Sequence, residues 1–203
     1  MIREVTQSQE DKLKLAAFIS SLSDKTTSLW NPYGLHPQEK AERIAEELQR
    51  RQDLRQFSLV ALEEGQIVGL AYIRYMPDIK PFLRDKVSEG IVVSDRFQGK
   101  GVGSQLMEAL IRKARSMGIR KIWASTYLDN IRSRKFHEKH GFVVEGVFFD
   151  DENWDLTDCR YFKGKRSVLS MALFLDTKDK ERFESDKRDF YGSLLSNNKA
   201  MDE

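Results

Sequence analysis

An apolar run ends in a turn with three closely spaced glycines and passes at once into an amphipathic helical pattern. The segment reads Glu89-Gly-Ile-Val-Val-Ser-Asp-Arg-Phe-Gln-Gly-Lys-Gly-Val-Gly-Ser104. Glycines at 99, 101 and 103 allow positive φ and let a ligand approach the backbone closely. The first N–H groups of the helix that follows have no partner inside it and carry the positive end of its dipole. A strand, a glycine turn and a helix N-terminus in this order suit a phosphate or pyrophosphate.

Residue counting separates three phosphate motifs. A dinucleotide fingerprint counted from Gly99 needs a sixth-position glycine, where Ser104 stands, and its strand would come first in the fold. A Walker loop needs glycine at 94 and Ser or Thr at 101, but the chain has Ser94 and Gly101. The pattern Gln/Arg-x-x-Gly-x-Gly fits in full from Gln98 to Gly103. Taken alone it also describes an ordinary tight turn.

Periodicity orders the rest. Ile2 to Val5 suits a short strand, and Ser8 a cap for a helix through Leu22. Ser23 to His36 reads as a loop. Pro37 suits the first turn of a helix that runs on through Glu39 to Arg51. Phe57 to Leu62 and Ile67 to Tyr75 make a hairpin about Glu63 to Gln66. Val87 to Val93 is a strand, Val102 to Gly118 a helix and Ile119 to Thr126 a strand. Asn130 to His140 is a helix. Phe142 to Phe149 and Val168 to Leu175 are strands around an acidic loop. Lys178 to Leu195 is a charged helix, and Ser196 to Glu203 a frayed tail. This order implies an α/β fold with a mixed sheet, not regular βαβ winding.

The chain has 203 residues, 40% apolar and 33% charged, with a formal net charge of +2. That charge gives no global electrostatic case for nucleic acid. The cluster Arg112, Lys113, Arg115, Arg120 and Lys121 reads as a solvated helix end. One cysteine, Cys159, excludes an internal disulfide and suits a cytoplasmic chain. Met1 to Glu10 has no apolar run resembling a leader, and no window is long enough for a membrane helix. His36, His137, His140 and Cys159 form no tight ligand cluster, so no metal is expected.

A second segment makes the first specific. From Asn130 the chain reads Asn-Ile-Arg-Ser-Arg-Lys-Phe-His-Glu-Lys-His-Gly-Phe142. It resembles the second signature of the GNAT acetyltransferase superfamily, Asn-x-x-Ala-x-x-Leu-Tyr-x-Lys-x-Gly-Phe. Asn130, Lys139, Gly141 and Phe142 match. Ser133 stands for alanine, Phe136 for leucine, and His137 for the usual tyrosine. Tyr161-Phe-Lys-Gly and Met171-Ala-Leu173 look most like the ribosomal-protein and antibiotic acetyltransferase branch.

The resemblance implies a GNAT domain over residues 1–175 and a C-terminal helix and tail over 176–203. It implies a mixed sheet of about seven strands, flanked by helices and splayed between the fourth and fifth. Acetyl-CoA would lie in the splay as co-substrate. Its pantetheine arm would pair with Ile91, Val92 and Val93 like an added strand. Its pyrophosphate would meet Gln98, Gly99, Lys100, Gly101, Val102, Gly103 and Ser104, and Asn130 would bond the arm. Arg96, Arg134 and Lys135 are further cations near these phosphates. The reaction would move an acetyl group to a primary amine, of a small molecule or a protein N-terminus, by direct attack in a ternary complex.

Candidate proton carriers are His137 in the tyrosine position, Glu89 on the face of Ile91 and Val93, and Tyr127 on the face of Ser125. Ser125 itself holds a position where some relatives carry glutamate. A main-chain N–H near Val93 would stabilise the oxyanion. The loops Trp30 to His36 and Asp150 to Asp158 would flank the acceptor, and the second, rich in carboxylates, would attract a cationic amine or simply be solvated. The C-terminal helix would dock on the domain or on a second copy as a homodimer. A rival stays open at this point: a non-catalytic acyl-CoA-binding module that keeps the loop but lacks a working acid and base.

Overall fold

The computed structural model describes residues 1–30, 41–42, 45–46, 56–75, 86–153 and 165–199. Strand β1 is Ile2–Glu4, followed by helices α1 (Gln9–Ser20) and α2 (Asp24–Trp30). Strands β2 (Phe57–Glu63), β3 (Gln66–Tyr75) and β4 (Lys86–Val93) come next. Helix α3 is Val102–Ser116, β5 Lys121–Tyr127 and α4 Ile131–Lys139. Strands β6 (Val143–Asn153) and β7 (Lys165–Phe174) precede helix α5 (Thr177–Lys199).

The seven strands form one sheet in the order β1-β2-β3-β4-β5-β7-β6. Among the described residues only β4 and β5 run parallel, and they pair over Lys86–Ser88 against Lys121–Trp123. Beyond Ser88 and Trp123 the two strands part. This is the mixed, splayed sheet that the resemblance implies.

Both sheet faces are covered. On one, Leu106, Met107, Leu110 and Ala114 of α3 are fully buried against Leu59, Ala71, Ile73, Val87, Ile122 and Met171. These helix positions recur at helical spacing, which is why α3 lies flat on the sheet. On the other, Leu15, Ile19 and Phe18 of α1 pack on Val60, Leu70 and Val92. The β2–β3 hairpin turns through Glu64 and Gly65, both at positive φ (48° and 76°), as a tight two-residue turn requires.

Three segments differ from the sequence expectation. Asp24–Trp30 lies in the expected loop but is helical. Ser23 caps it: its carbonyl accepts from Thr27 N at 2.9 Å and its hydroxyl from Thr26 N at 3.2 Å. The weak helix formers Thr26, Thr27 and Ser28 hid this helix. The β6 strand continues through Asp150–Asn153, because Glu152 and Asn153 still pair with Arg166 and Lys165. Tertiary pairing overrides the turn preference of that acidic run. Helix α5 also extends beyond Leu195. It is tied to the sheet by the Arg120–Asp179 ion pair and by Phe183 on Phe174, ring centres 5.0 Å apart.

Asp11 is a buried carboxylate in α1, 3% exposed. It accepts from Arg3 at 2.7 and 2.5 Å, and from Thr6 N and Oγ1 at 2.7 and 2.9 Å. The Arg3 bonds, opposed by burial and aided by Thr6, hold its pKa down to about 2 from an ordinary 3.8. A depressed carboxylate pKa stabilises the fold above the ordinary value, and this is lost as pH falls through the folded one. Acid titration of the unfolding free energy should therefore decline between pH 3.8 and about 2. Asp11→Ala should flatten that limb and cost ~3 kcal/mol at neutral pH by stranding Arg3, measured by denaturant unfolding.

Candidate active site

The parting of β4 and β5 exposes main chain. Ser94 N–H donates to Val68 O in β3 at 2.9 Å. Successive residues of a strand alternate in direction, so Val92 and Gly90 also face β3. The N–H and C=O groups of Ile91 and Val93 therefore face the gap. Of the three strand residues expected to pair with a pantetheine arm, Ile91 and Val93 present main chain to the opening. Val92 presents its own to β3 and buries its side chain under α1.

The glycine loop lies at the mouth of this gap. Gly99 and Gly101 have φ of 77° and 86°, and a Cβ on either would meet nothing within 4 Å. Their requirement is conformational, not steric. The hydrogen-bond ladder of α3 starts with Gln105 N–H to Gly101 O at 3.1 Å, so the N–H groups of Val102, Gly103 and Ser104 lie before it. Ser104 Oγ accepts from Lys139 Nζ at 3.4 Å and lies 3.3 Å from His140 Nε2. Two basic side chains from α4 and its C-cap thus reach the positive end of α3. Burial, followed by the Lys139 charge, holds the His140 imidazole below its ordinary pKa. Lys100 Nζ sits 5.3 Å above the Phe97 ring.

Gln98 is a brace. Its amide donates to Val93 O at 3.1 Å and to Thr26 Oγ1 at 3.2 Å, and its Oε1 accepts from Arg132 at 2.9 Å. Thr26 and Ser23 in turn donate to Asp95 at 2.6 and 2.9 Å. Desolvation opposes the Asp95 charge, but these hydrogen bonds outweigh it and hold the carboxyl below its usual range. The loop is thereby tied to α2 on one side and to α4 on the other.

Glu89 and His137, distant in sequence, meet. His137 Nε2 lies 2.8 Å from Glu89 Oε1, and both side chains are 4% exposed. His137 Nδ1 lies 2.8 Å from the Ser133 carbonyl. Glu89 Oε2 is buried with no hydrogen-bond partner. Tyr127 is not part of this pair. It is buried among Val168 and Leu29, on the α2 side of the sheet, with the Arg166 guanidinium 4.3 Å from its ring centre. Asn130 caps α4, its Oδ1 accepting from Ser133 N at 3.2 Å.

Residues 18–142 match the family model described as the acetyltransferase (GNAT) family. The chain belongs to the GNAT acetyltransferase family. It is similar to the L-methionine sulfoximine/L-methionine sulfone acetyltransferase of Pseudomonas aeruginosa, 30% identical over 134 residues, 65% of this chain and 74% of that one. An N-acetyltransferase structure from Staphylococcus aureus superposes with a TM-score of 0.68 at 26% identity, over 87% of this chain and 98% of that one. The yncA structure from Salmonella typhimurium, which holds its cofactor acetyl-CoA, gives 0.66 at 25%, over 87% and 94%. The chain is therefore a GNAT-fold, acyl-CoA-dependent acetyltransferase. The similar proteins span several subfamilies, so they single out neither the ribosomal-protein nor the antibiotic branch.

Beside Trp30, the start of the expected acceptor-flanking loop, the structure of this acetyltransferase gathers Tyr72, Arg74 and Thr27, which the sequence did not single out. On the α2 face, Tyr72 of β3 covers Gly90 so closely that a Cβ there would lie 2.2 Å from its ring. Trp30 meets Tyr72 edge-on at 6.3 Å, and Arg74 lies 5.5 Å from the same ring. Thr27 Oγ1 and Trp30 Nε1 are buried without hydrogen-bond partners. The signal was present as Tyr72 and Arg74 at alternate strand positions, polar ends on an otherwise apolar strand. The expected rim from Trp154 to Asp158, and 31–36 of the first loop, lie outside the described residues. Among the described residues no helix is long and apolar enough to cross a membrane.

Gln98→Leu should remove three hydrogen bonds at once. We expect a loss of about 1–2 kcal/mol in unfolding free energy and a weaker acetyl-CoA Kd by calorimetry, because the loop loses its tie to β4.

Proposed function

We propose that this acetyltransferase moves the acetyl group of acetyl-CoA to the primary amine of a small, carboxylate-bearing molecule of the α-amino-acid class. The observation that carries the reading is the opening between β4 and β5, with the N-terminus of α3 at its mouth and with Trp30, Tyr72 and Arg74 grouped on the α2 face beside β4.

The residues present fit acetyl-CoA. Ile91 and Val93 offer main-chain groups to an extended amide-bearing arm. The N–H groups of Val102, Gly103 and Ser104, with Lys139 and His140, suit a pyrophosphate. Bound there, acetyl-CoA supplies an acetyl group activated as a thioester. The Val93 N–H, on the gap side of the strand, is the donor for charge developing on the thioester oxygen. Asn130 and Gln98 serve mainly by holding α4 and the loop in place.

Arg74 supports the acceptor class. It is a partly exposed cation beside an aromatic wall, and among the described residues no carboxylate pairs with it. A guanidinium in that position binds a carboxylate in a two-point fork. The relative that acts on L-methionine sulfoximine and L-methionine sulfone is consistent with such an acceptor. The non-catalytic alternative would keep the loop but lack a working acid and base, whereas Glu89 and His137 meet at the root of the gap.

The test is acceptor-dependent thiol release from acetyl-CoA with a panel of amines. Amino acids such as methionine sulfone should turn over well, and their decarboxylated counterparts, polyamines and peptides poorly. Arg74→Ala should raise KM for the carboxylated acceptor about 10- to 100-fold, the worth of a charged hydrogen bond, and leave a decarboxylated amine unaffected. Equal KM values for both in the native enzyme would refute the carboxylate reading. Firm acetyl-CoA binding without thiol release for any amine would favour the non-catalytic module.

A further inference from the structure

Glu89 is the first residue of β4 beyond the last β4–β5 partners, Ser88 and Trp123. Its carboxyl thus stands at the root of the gap, on the face covered by α3 and α4. One oxygen is held by His137, and the other is buried and unpartnered. A buried acceptor without a protein partner is costly to desolvate, and the second Glu89 oxygen is committed to no other group among the described residues.

Proton counting defines the pair. The Ser133 carbonyl can only accept, so His137 Nδ1 bears a proton and donates to it across 2.8 Å. The 2.8 Å separation of Nε2 and Oε1 requires a second proton between them. The pair is therefore an imidazolium with a carboxylate, or an imidazole with a carboxylic acid, and neutral as a whole either way. Three influences act on the imidazole. Burial pushes its pKa down, the Glu89 hydrogen bond and charge push it up, the Ser133 carbonyl adds to the rise, and the net direction is upward. Phe136 and Phe142 close the ring in, with centres at 5.4 and 5.0 Å.

A glutamate buried among apolar groups with no cation beside it takes up a proton and ceases to be a base. We propose that His137 is the buried counter-ion that keeps Glu89 ionised, so that Glu89 Oε2 serves as the proton acceptor for the attacking amine. His137 is then a positioning residue that acts through Glu89. Both its ring nitrogens are committed, and it does not deliver a proton to sulfur itself. This inference rests on the acetyltransferase reading. The step balances: as the C–N bond forms and the C–S bond breaks, Oε2 takes the proton shed by nitrogen and returns it to sulfur. The pair ends as it began, and no further reactant is needed.

Few other titratable groups face His137. His140 lies a turn away on the same helix, depressed by burial and by Lys139, with Glu108 of α3 opposing. Arg134 is paired with Glu138 on the outer face of α4. Glu89 is the one carboxylate in contact with the ring among the described residues.

Two measurements test the inference. The first is ¹⁵N NMR of the histidine ring in the free protein. His137 should have both nitrogens protonated at pH 7, above the ordinary histidine pKa of 6.5, and should lose the Nε2 proton in Glu89→Gln. A neutral His137 ring at pH 7 in the native protein would overturn the inference. The second is the pH dependence of kcat with saturating amine. Glu89→Gln should lower kcat about 100-fold or more across the range, with the acetyl-CoA Kd unchanged. His137→Phe should shift the acidic limb upward by a pH unit or more and recover activity in alkali, as Glu89 loses its counter-ion. His137→Tyr, which keeps a hydrogen-bond donor but no charge, should fall between. A His137→Phe variant slowed by one constant factor with its acidic limb unmoved would show a packing role and overturn the inference. Absence of turnover with every amine would refute the acetyltransferase reading instead, while the NMR result would still decide the state of the pair.

Discussion

Strands β4 and β5 cannot pair along their whole length, because they diverge after Ser88 and Trp123. A sheet that opens in its middle leaves main-chain donors and acceptors without partners, and such groups must be satisfied elsewhere. The chain satisfies one itself: Gln98 Nε2 donates to Val93 O. The rest of the gap edge, Ile91 and the Val93 N–H, is left for something that looks like a strand. The helices brace this opening from both faces. Helix α3 packs four fully buried side chains against the sheet on one side, and α1 and α2 close the other. A sheet with an internal break needs such backing, since it lacks the ladder that would otherwise hold its halves in register.

The bracing also links the glycine loop to the β3–β4 surface. Thr26 and Ser23 at the start of α2 bond Asp95, and Thr26 bonds Gln98. Trp30 at the end of the same helix meets Tyr72, which covers Gly90. Helix α2 therefore touches the glycine loop with one end and Tyr72 of β3 with the other. Its brevity makes it dependent on these contacts, because a helix of two turns has little stability of its own.

Much of this was legible in the sequence, and the reasons differ by element. The glycine loop was legible because positive φ at 99 and 101 leaves a compositional mark. Helix α3 was legible because its buried stripe is regular. Ser8 announced α1 by its side chain, which accepts from Asp11 N. Helix α2 was hidden because Ser23 caps a run of poor helix formers whose order comes from tertiary bonds to Asp95. The extent of β6 was hidden because cross-strand pairing, not composition, carries it through Asp150–Asn153. Arg74 was missed because its alternation with Tyr72 reads as an ordinary half-exposed strand face until the fold brings Trp30 to the same ring. Glu89 and His137 were each singled out, but as separate candidates. Nothing in a one-dimensional pattern joins residues 48 positions apart.

The histidine in the usual tyrosine position changes the electrostatics of the site as well as its shape. A tyrosine there would be a neutral donor near its neighbours. A histidine brings a charge, and a charge at 4% exposure is tolerable only with a counter-charge in contact. Position 89 and position 137 are thus bound to each other by desolvation. Removing either one leaves the other's polar group buried without this hydrogen bond. The effects of the two substitutions on folding and on turnover cannot be additive, because each alone already breaks the one contact the two side chains share. The departure at 137 and the glutamate at 89 are best understood as one feature of this acetyltransferase, placed where the sheet comes apart.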